Sequence, residues 1–292
     1  MGKNIGIVTD SNSGITQKQG EELGIHVLPM PFTVNGTPYF EDINLSQEQF
    51  YARLAEGADI ATSQPSPEAV MDLWNRLLER YDELVHIPMS SGLSGSCETA
   101  ILLSGEYDGR VQVVNNQRIS VTQRQSVLDA MHLASQGFSA KQIKDTLEAK
   151  KMETGIYIMV DTLKYLRKGG RITPAAAALG TVLRLKPVLQ IHGARLDAFA
   201  KARTVQQAKT LMINALKNDI EQCFGRKDVD PALYHLEVAH TQNEAAAMEL
   251  RSQLMEALPG SQEVYVDRLS LSVSCHIGPG ALAVAFSRKI DS

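Results

Sequence analysis

Ile5-Gly6-Ile7-Val8 and Ile156-Tyr157-Ile158-Met159-Val160 decide the fold class, because neither run alternates apolar with polar residues. Continuous β-rich runs of this kind belong to strands covered on both faces, as in parallel sheets with crossover helices. Working outward, strand patterns are read at Ile5 to Thr9, His26 to Val34, Leu84 to Met89, Val111 to Asn115 and Gly155 to Asp161. Helical periodicity fills Ser46 to Glu56, Pro67 to Tyr81, Leu93 to Glu106, Ser120 to Gln136 and Ala140 to Lys151. The N-terminal part is therefore expected to be an α/β/α lobe with a mostly parallel sheet. Val34-Asn35-Gly36-Thr37 is a two-residue hairpin signal, so a β-ribbon should interrupt the alternation.

After about residue 170 the pattern changes to hairpins mixed with crossover helices. A hairpin is read over Val188 to Ala200 around His192-Gly193-Ala194, then a helix Thr204 to Cys223, a strand Tyr234 to Ala239, a helix Glu244 to Ala257, and strands Glu263 to Arg268 and Ala281 to Phe286. These predict a C-terminal α/β lobe with a mixed sheet. The expected division is 1–165 and 166–292, with no Pro-rich linker to mark it.

Composition removes several function classes. With 29 Lys and Arg against 33 Asp and Glu, the net charge of −4 and the absence of a basic block leave no footprint for a phosphate backbone, so no nucleic acid is expected. No apolar stretch approaches the roughly 20 residues of a spanning helix, so no membrane span is expected. MGKNIGIVTD runs straight into a strand pattern without the charged and apolar regions of a signal peptide, which makes the cytoplasm the expected compartment. Cys97, Cys223 and Cys275 have neither disulfide-framework nor zinc spacing and read as buried thiols. There is no Walker sequence. Gly278-Pro279-Gly280-Ala281-Leu282-Ala283 matches a dinucleotide fingerprint in form only, because Pro279 removes an N–H and no acidic residue can lie 20 positions further on.

Open parallel sheets bind ligands beyond the carboxyl ends of their strands, and here the segments beyond those ends are rich in hydroxyls. Strand one ends in Thr9-Asp10-Ser11. Thr62-Ser63-Gln64-Pro65-Ser66-Pro67 enters one helix, and Ser90-Ser91-Gly92-Leu93-Ser94-Gly95-Ser96 enters the next. Free backbone N–H groups, a helix N-terminus and short hydroxyl donors suit an anionic head group. The same residues also read as caps, with Ser91 or Ser94 on one helix and Ser66-Pro67 on the other. A serine nucleophile would need a base, and His86 lies inside the strand as a packed core residue. The Gly278-Pro279-Gly280 turn would aim the ring of His276. In Leu163 to Ile172, LKYLRKGGRI, the basic residues surround a Gly-Gly helix stop, where the dipole favours them. Arg203 precedes Thr204, which reads as an N-cap.

Taken in order, these motifs resemble the DegV family: Thr9-Asp10-Ser11, Thr62-Ser63-Gln64-Pro65, Ser90 to Ser96, LKYLRKGGRI and His276-Ile277-Gly278-Pro279-Gly280. The resemblance implies an α/β/α lobe and a mixed-sheet lobe that bind one long-chain fatty acid between them, with no other cofactor. Thr62 and Ser94 would hydrogen-bond the carboxylate, the Gly95 N–H would assist, and His276 would reach the head group from the second lobe. Some bacterial members serve as the carrier subunit of fatty acid kinase. That implies a protein that is no enzyme itself and delivers its ligand to a separate ATP-dependent kinase protein, for which Arg203 and Arg171 are the docking candidates.

Burying about 14 methylenes contributes roughly 11 kcal/mol gross, whereas one charge-assisted hydrogen bond contributes about 1.5 to 3. The tail would set affinity and the hydroxyls orientation. Two rival classes remain at this point: a serine hydrolase of a lipid ester, and a binding protein for another small anion such as a phosphate ester.

Overall fold

Chain direction in the N-terminal sheet is set by the helices that return it. The computed structural model describes residues 3–178, 185–261 and 263–290. The chain divides into two compact units, residues 1–151 with 270–272 and residues 152–269 with 273–292. In the first, the strands are β1 (Ile5–Asp10), β2 (His26–Leu28), β3 (Pro31–Val34), β4 (Thr37–Phe40), β5 (Ile60–Thr62), β6 (Glu83–Ile87) and β7 (Val111–Val113). Its helices are α1 (Gln17–Leu23), α2 (Gln47–Ala55), α3 (Pro67–Leu77), α4 (Ser96–Ser104), α5 (Ser120–Ser135) and α6 (Ala140–Ala149).

The four strands β2-β1-β6-β7 pair in parallel throughout, which meets the expectation for the N-terminal part. The ribbon is also present. Asn35 and Gly36 both take positive φ, 51° and 81°, and Val34 faces Thr37, as a mirror-image two-residue turn requires. The single strand read over His26 to Val34 is instead two strands in two sheets. Pro29 and Pro31 cannot donate to a ladder, so the chain leaves the parallel sheet after Leu28 and starts β3 at Pro31. β5 escaped the sequence reading; it is three residues long and pairs antiparallel with β3, setting Thr62 opposite Phe32.

In the second unit the strands are β8 (Thr154–Met159), β9 (Lys186–Ile191), β10 (Leu196–Ala202), β11 (Tyr234–His240), β12 (Tyr265–Arg268) and β13 (Leu282–Arg288). They form one mixed sheet in the order β10-β9-β8-β13-β11-β12, with only β11 and β12 parallel. The helices are α7 (Lys164–Gly169), α8 (Pro174–Ala178), α9 (Val205–Phe224) and α10 (Glu244–Ala257), with α11 (Leu271–Ile277) counted in this unit from residue 273 on. The run Ile156 to Met159 is buried throughout, as read, but β8 is antiparallel to both neighbours. An uninterrupted apolar run reports burial on both faces and says nothing of direction.

Trp74 on α3 is fully buried in the first unit's core, with Val8, Leu84, Cys97 and Val111. Its ring stands edge-on to His86 and to Tyr107, with centroids 5.6 and 5.3 Å away. Trp74→Ala should cost about 3 to 5 kcal/mol, seen as a lower urea midpoint with an unchanged slope. A loss below about 1 kcal/mol would contradict this account of the core.

Candidate functional site

At the carboxyl ends of β1 and β6 the organising group is the Asp10 carboxylate, only 1% exposed. Oδ2 accepts from the Met89 N–H at 2.8 Å, and Oδ1 accepts from the Asn12 N–H at 3.0 Å and from Gln123 Nε2 at 3.1 Å. The Gln123 amide is shared with Thr9 Oγ1 and the Ile87 carbonyl, so α5 ties the two strand ends together. Burial pushes the Asp10 pKa up, while the Met89, Gln123 and Asn12 bonds pull it down; the net direction is up.

The serine loop comes directly after this point. The N–H groups of Leu93 and Ser94 both donate to the Ser90 carbonyl, so the chain makes a turn before helix α4, which begins three residues later than its periodicity suggests. Ser94 Oγ accepts from the Ser96 N–H at 3.2 Å, which braces the turn and leaves the Ser94 O–H as a donor. Gly95 is the N-cap residue of α4 and supplies no side chain to it. By contrast Ser66, with Pro67 behind it, caps α3 as read, accepting from the Ala69 N–H.

Gln64, two residues after Thr62, fastens the loop after β5 to the helix that follows the serine loop. Its side-chain amide forms a reciprocal pair with Thr99 Oγ1 on α4, at 3.2 and 3.3 Å. A Cβ on Gly95 would lie 3.0 Å from Gln64 Oε1, so the Gln64 amide end sits close against the Gly95 backbone. The loop that follows Thr62 is thus tied through Gln64 to α4, with the Gln64 amide beside Gly95.

In the second unit the sequence signal was a Gly-Gly helix stop, and the two glycines prove to have different tasks. Gly170 ends α7 in the left-handed region at φ 67°. Gly169 is helical and any residue could adopt its backbone, but a Cβ there would collide with Nδ1 of His276. His276 lies on α11, a helix the sequence reading missed because Ser-rich Leu271–Ile277 is short and lacks apolar periodicity. Gly278 and Gly280, both at positive φ, pack on Tyr165 and Asp161. The basic motif and the His-Ile-Gly-Pro-Gly motif therefore pack on each other. Burial, then the Arg171 guanidinium, lowers the His276 pKa to about 4. Arg171 is exposed and donates to the Gly169 carbonyl. Arg203 is exposed before α9, whose N-cap is Thr204 as read. A helix N-terminus favours anions, so the dipole does not account for a guanidinium there.

Burial raises Cys97 and Cys275 to about 12, which fits inert thiols. Among the described residues there is no group of three or more metal-capable side chains and no helix long and apolar enough to cross a membrane.

These features define a two-unit α/β protein whose first unit gathers hydroxyl and backbone donors at its strand ends. The DegV family, described as "Uncharacterised protein, DegV family", matches residues 4–289. The chain belongs to that family. A DegV domain-containing protein of Deinococcus radiodurans is 32% identical over 282 residues, covering 96% of this chain and 97% of the relative. One of Streptomyces coelicolor is 29% identical, covering 99% and 100%. Among solved structures, a DegV family protein from Thermus thermophilus described by its fatty acid binding has a TM-score of 0.89 at 30% identity, covering 98% of this chain and 100% of that one. DegV of Bacillus subtilis, described as a fatty acid binding protein, has a TM-score of 0.85 at 28% identity, with the same coverage.

Gly169→Ala should displace the His276 ring. In NMR spectra the His276 ring resonances should move, whereas Gly170→Ala, which meets no neighbour, should leave them in place and cost only backbone strain. Unmoved resonances in Gly169→Ala would refute the packing described. Burial also lowers His86 to about 3. Neither His86 nor His276 should take up a proton between about pH 7.5 and about pH 5.5, and an inflection near the ordinary value of 6.5 at either ring would contradict this. The unfolded chain protonates both near 6.5, so their contribution to stability is present above that pH and is lost as pH falls toward the folded values.

Proposed function

We propose that the protein is a cytoplasmic carrier that binds one long-chain fatty acid and presents its carboxylate to a separate ATP-dependent kinase protein, without catalysing a reaction itself. The observation that carries the reading is the corner at α4: an O–H donor on Ser94, a backbone N–H at Gly95 beside a helix start without a side-chain cap, and Gln64, two residues after Thr62, bonded to Thr99 on the same helix. This donor set fits a carboxylate. The fatty acid binding of the Thermus thermophilus relative supports the choice of ligand.

In this reading Thr62, Ser94 and Gly95 hold the carboxylate, and the family resemblance adds His276 as a ligand-binding residue. A neutral imidazole has one N–H to donate, which is the form the lowered pKa of His276 favours. The tail supplies most of the affinity by burial. Arg203, with Arg171, is the docking side for the kinase, where exposed guanidinium groups steer an acidic partner surface and offset the charge of the phosphate in transfer. The hydrolase alternative lacks local support, because among the described residues no imidazole is hydrogen-bonded to Ser94, whose Oγ accepts only from the Ser96 N–H.

An organic extract of the purified protein should contain a long-chain fatty acid by mass spectrometry. A polar phosphate ester in its place would favour the other anion-binding class, and no lipid together with no thermal stabilisation by added fatty acid would refute the assignment. Ser94→Ala or Thr62→Ala should weaken retention by about 1 to 3 kcal/mol with the fold intact. The loaded protein should consume no ATP alone and should support acyl-phosphate formation with a matching kinase. Arg203→Glu should suppress that coupled reaction without releasing lipid, and an unaffected variant would remove Arg203 from the docking side.

A further inference from the structure

Below the serine loop, inside the first unit, lies a small cavity lined by Asp10, Met30, Pro65, His86, Ser96 and Thr99 among others. About 10 Å³ of it is open to the centre of a water molecule, room for one oxygen. Two of its lining residues carry buried polar atoms that have no hydrogen-bond partner among the described residues. His86 is 2% exposed and neither Nδ1 nor Nε2 has a partner among the described residues; the buried Oγ of Ser96 has none either. Leaving such groups unpaired costs about 1 to 3 kcal/mol each, so a polar occupant is strongly favoured. His86 cannot readily turn away, because Trp74 is packed edge-on against its ring at 82°.

The chemistry of the walls selects the occupant. Asp10 accepts from the Met89 and Asn12 N–H groups and from Gln123, so a group that meets its carboxylate must be a donor. His86 is neutral and offers one N–H and one lone pair, and Ser96 can give or take a proton. A second carboxylate has no proton to give and would meet the Asp10 charge in a buried site. A neutral O–H both donates and accepts.

We propose that this cavity is a binding site for a single neutral hydroxyl oxygen, held by Asp10, His86 and Ser96. The oxygen belongs either to a bound water or to a hydroxyl group near the head of a hydroxylated acyl chain. Pro65, Ser96 and Thr99 come from the two segments that carry Thr62 and Ser94, so an acyl substituent close to the carboxyl end is the part of a ligand with access to it. Only the second source rests on the fatty-acid reading; the oxygen site itself does not.

Crystals of the protein alone, loaded with palmitic acid and loaded with 3-hydroxypalmitic acid test the proposal. The expected result in each is one oxygen within about 2.6 to 3.2 Å of Ser96 Oγ and of a His86 ring nitrogen. Water in all three assigns the site to solvent. Replacement of that water by the ligand hydroxyl in the third assigns it to the acyl chain, and Ser96→Ala should then lower the preference for the hydroxylated acid about tenfold. If neither acid binds, the fatty-acid reading fails and the crystals of the protein alone still test the oxygen site. A cavity without oxygen density, or His86 and Ser96 bonded to protein groups instead, overturns it, whatever the folding of the variant.

Discussion

The buried Asp10 carboxylate is the constraint on which the candidate site depends. A carboxylate that is 1% exposed is tolerable only with its lone pairs engaged, and here the donors come from three places: Asn12 after β1, Met89 after β6, and Gln123 on α5. Satisfying one side chain therefore sets where the chain emerges from the two strands. Everything downstream inherits that placement. The Ser90 turn starts one residue after Met89, α4 starts after the turn, and Gln64 fastens the loop after β5 to α4 through Thr99.

The second unit uses steric exclusion where the first uses hydrogen bonds. Gly169, Gly278 and Gly280 remove the atoms that would otherwise separate α7 and its flanks from the His276 segment, and each meets a specific group: the imidazole, the Tyr165 ring and the Asp161 carboxylate. Asp161 is itself ion-paired with Lys186 at 2.6 Å, although with both groups partly exposed that pair contributes little to stability. The price of such close packing is intolerance to a single methyl group.

What the sequence made legible was local chemistry with its own signature. Asn35-Gly36 announces its turn, Ser66-Pro67 and Thr204 their helix starts, and Gly170 its helix end, because each task is performed well by only a small set of residue types. The candidate residues Thr62, Ser94, Gly95 and His276 were found through motif order. Their supporting groups were not. Gln123 lies 113 residues from Asp10, and nothing in its surroundings on α5 marks it for a bond to a strand end. Gly169 reads as half of a helix stop until the His276 ring is seen against it. The antiparallel direction of β8 and the short β5 depend on pairing partners remote in the chain, which periodicity cannot report.

The central claim is that a carboxylate is held as an anion by hydroxyl and backbone donors at the start of α4. Hydrogen bonds to the charged form lower a carboxyl pKa, and burial alone raises it. Titration of a carboxyl-labelled ¹³C palmitic acid bound to the protein, followed by NMR, separates the two. The account predicts one bound resonance that titrates below the ordinary carboxylate range and moves upward in Ser94→Ala. A bound carboxyl that titrates above that range, unchanged in Ser94→Ala, would contradict it.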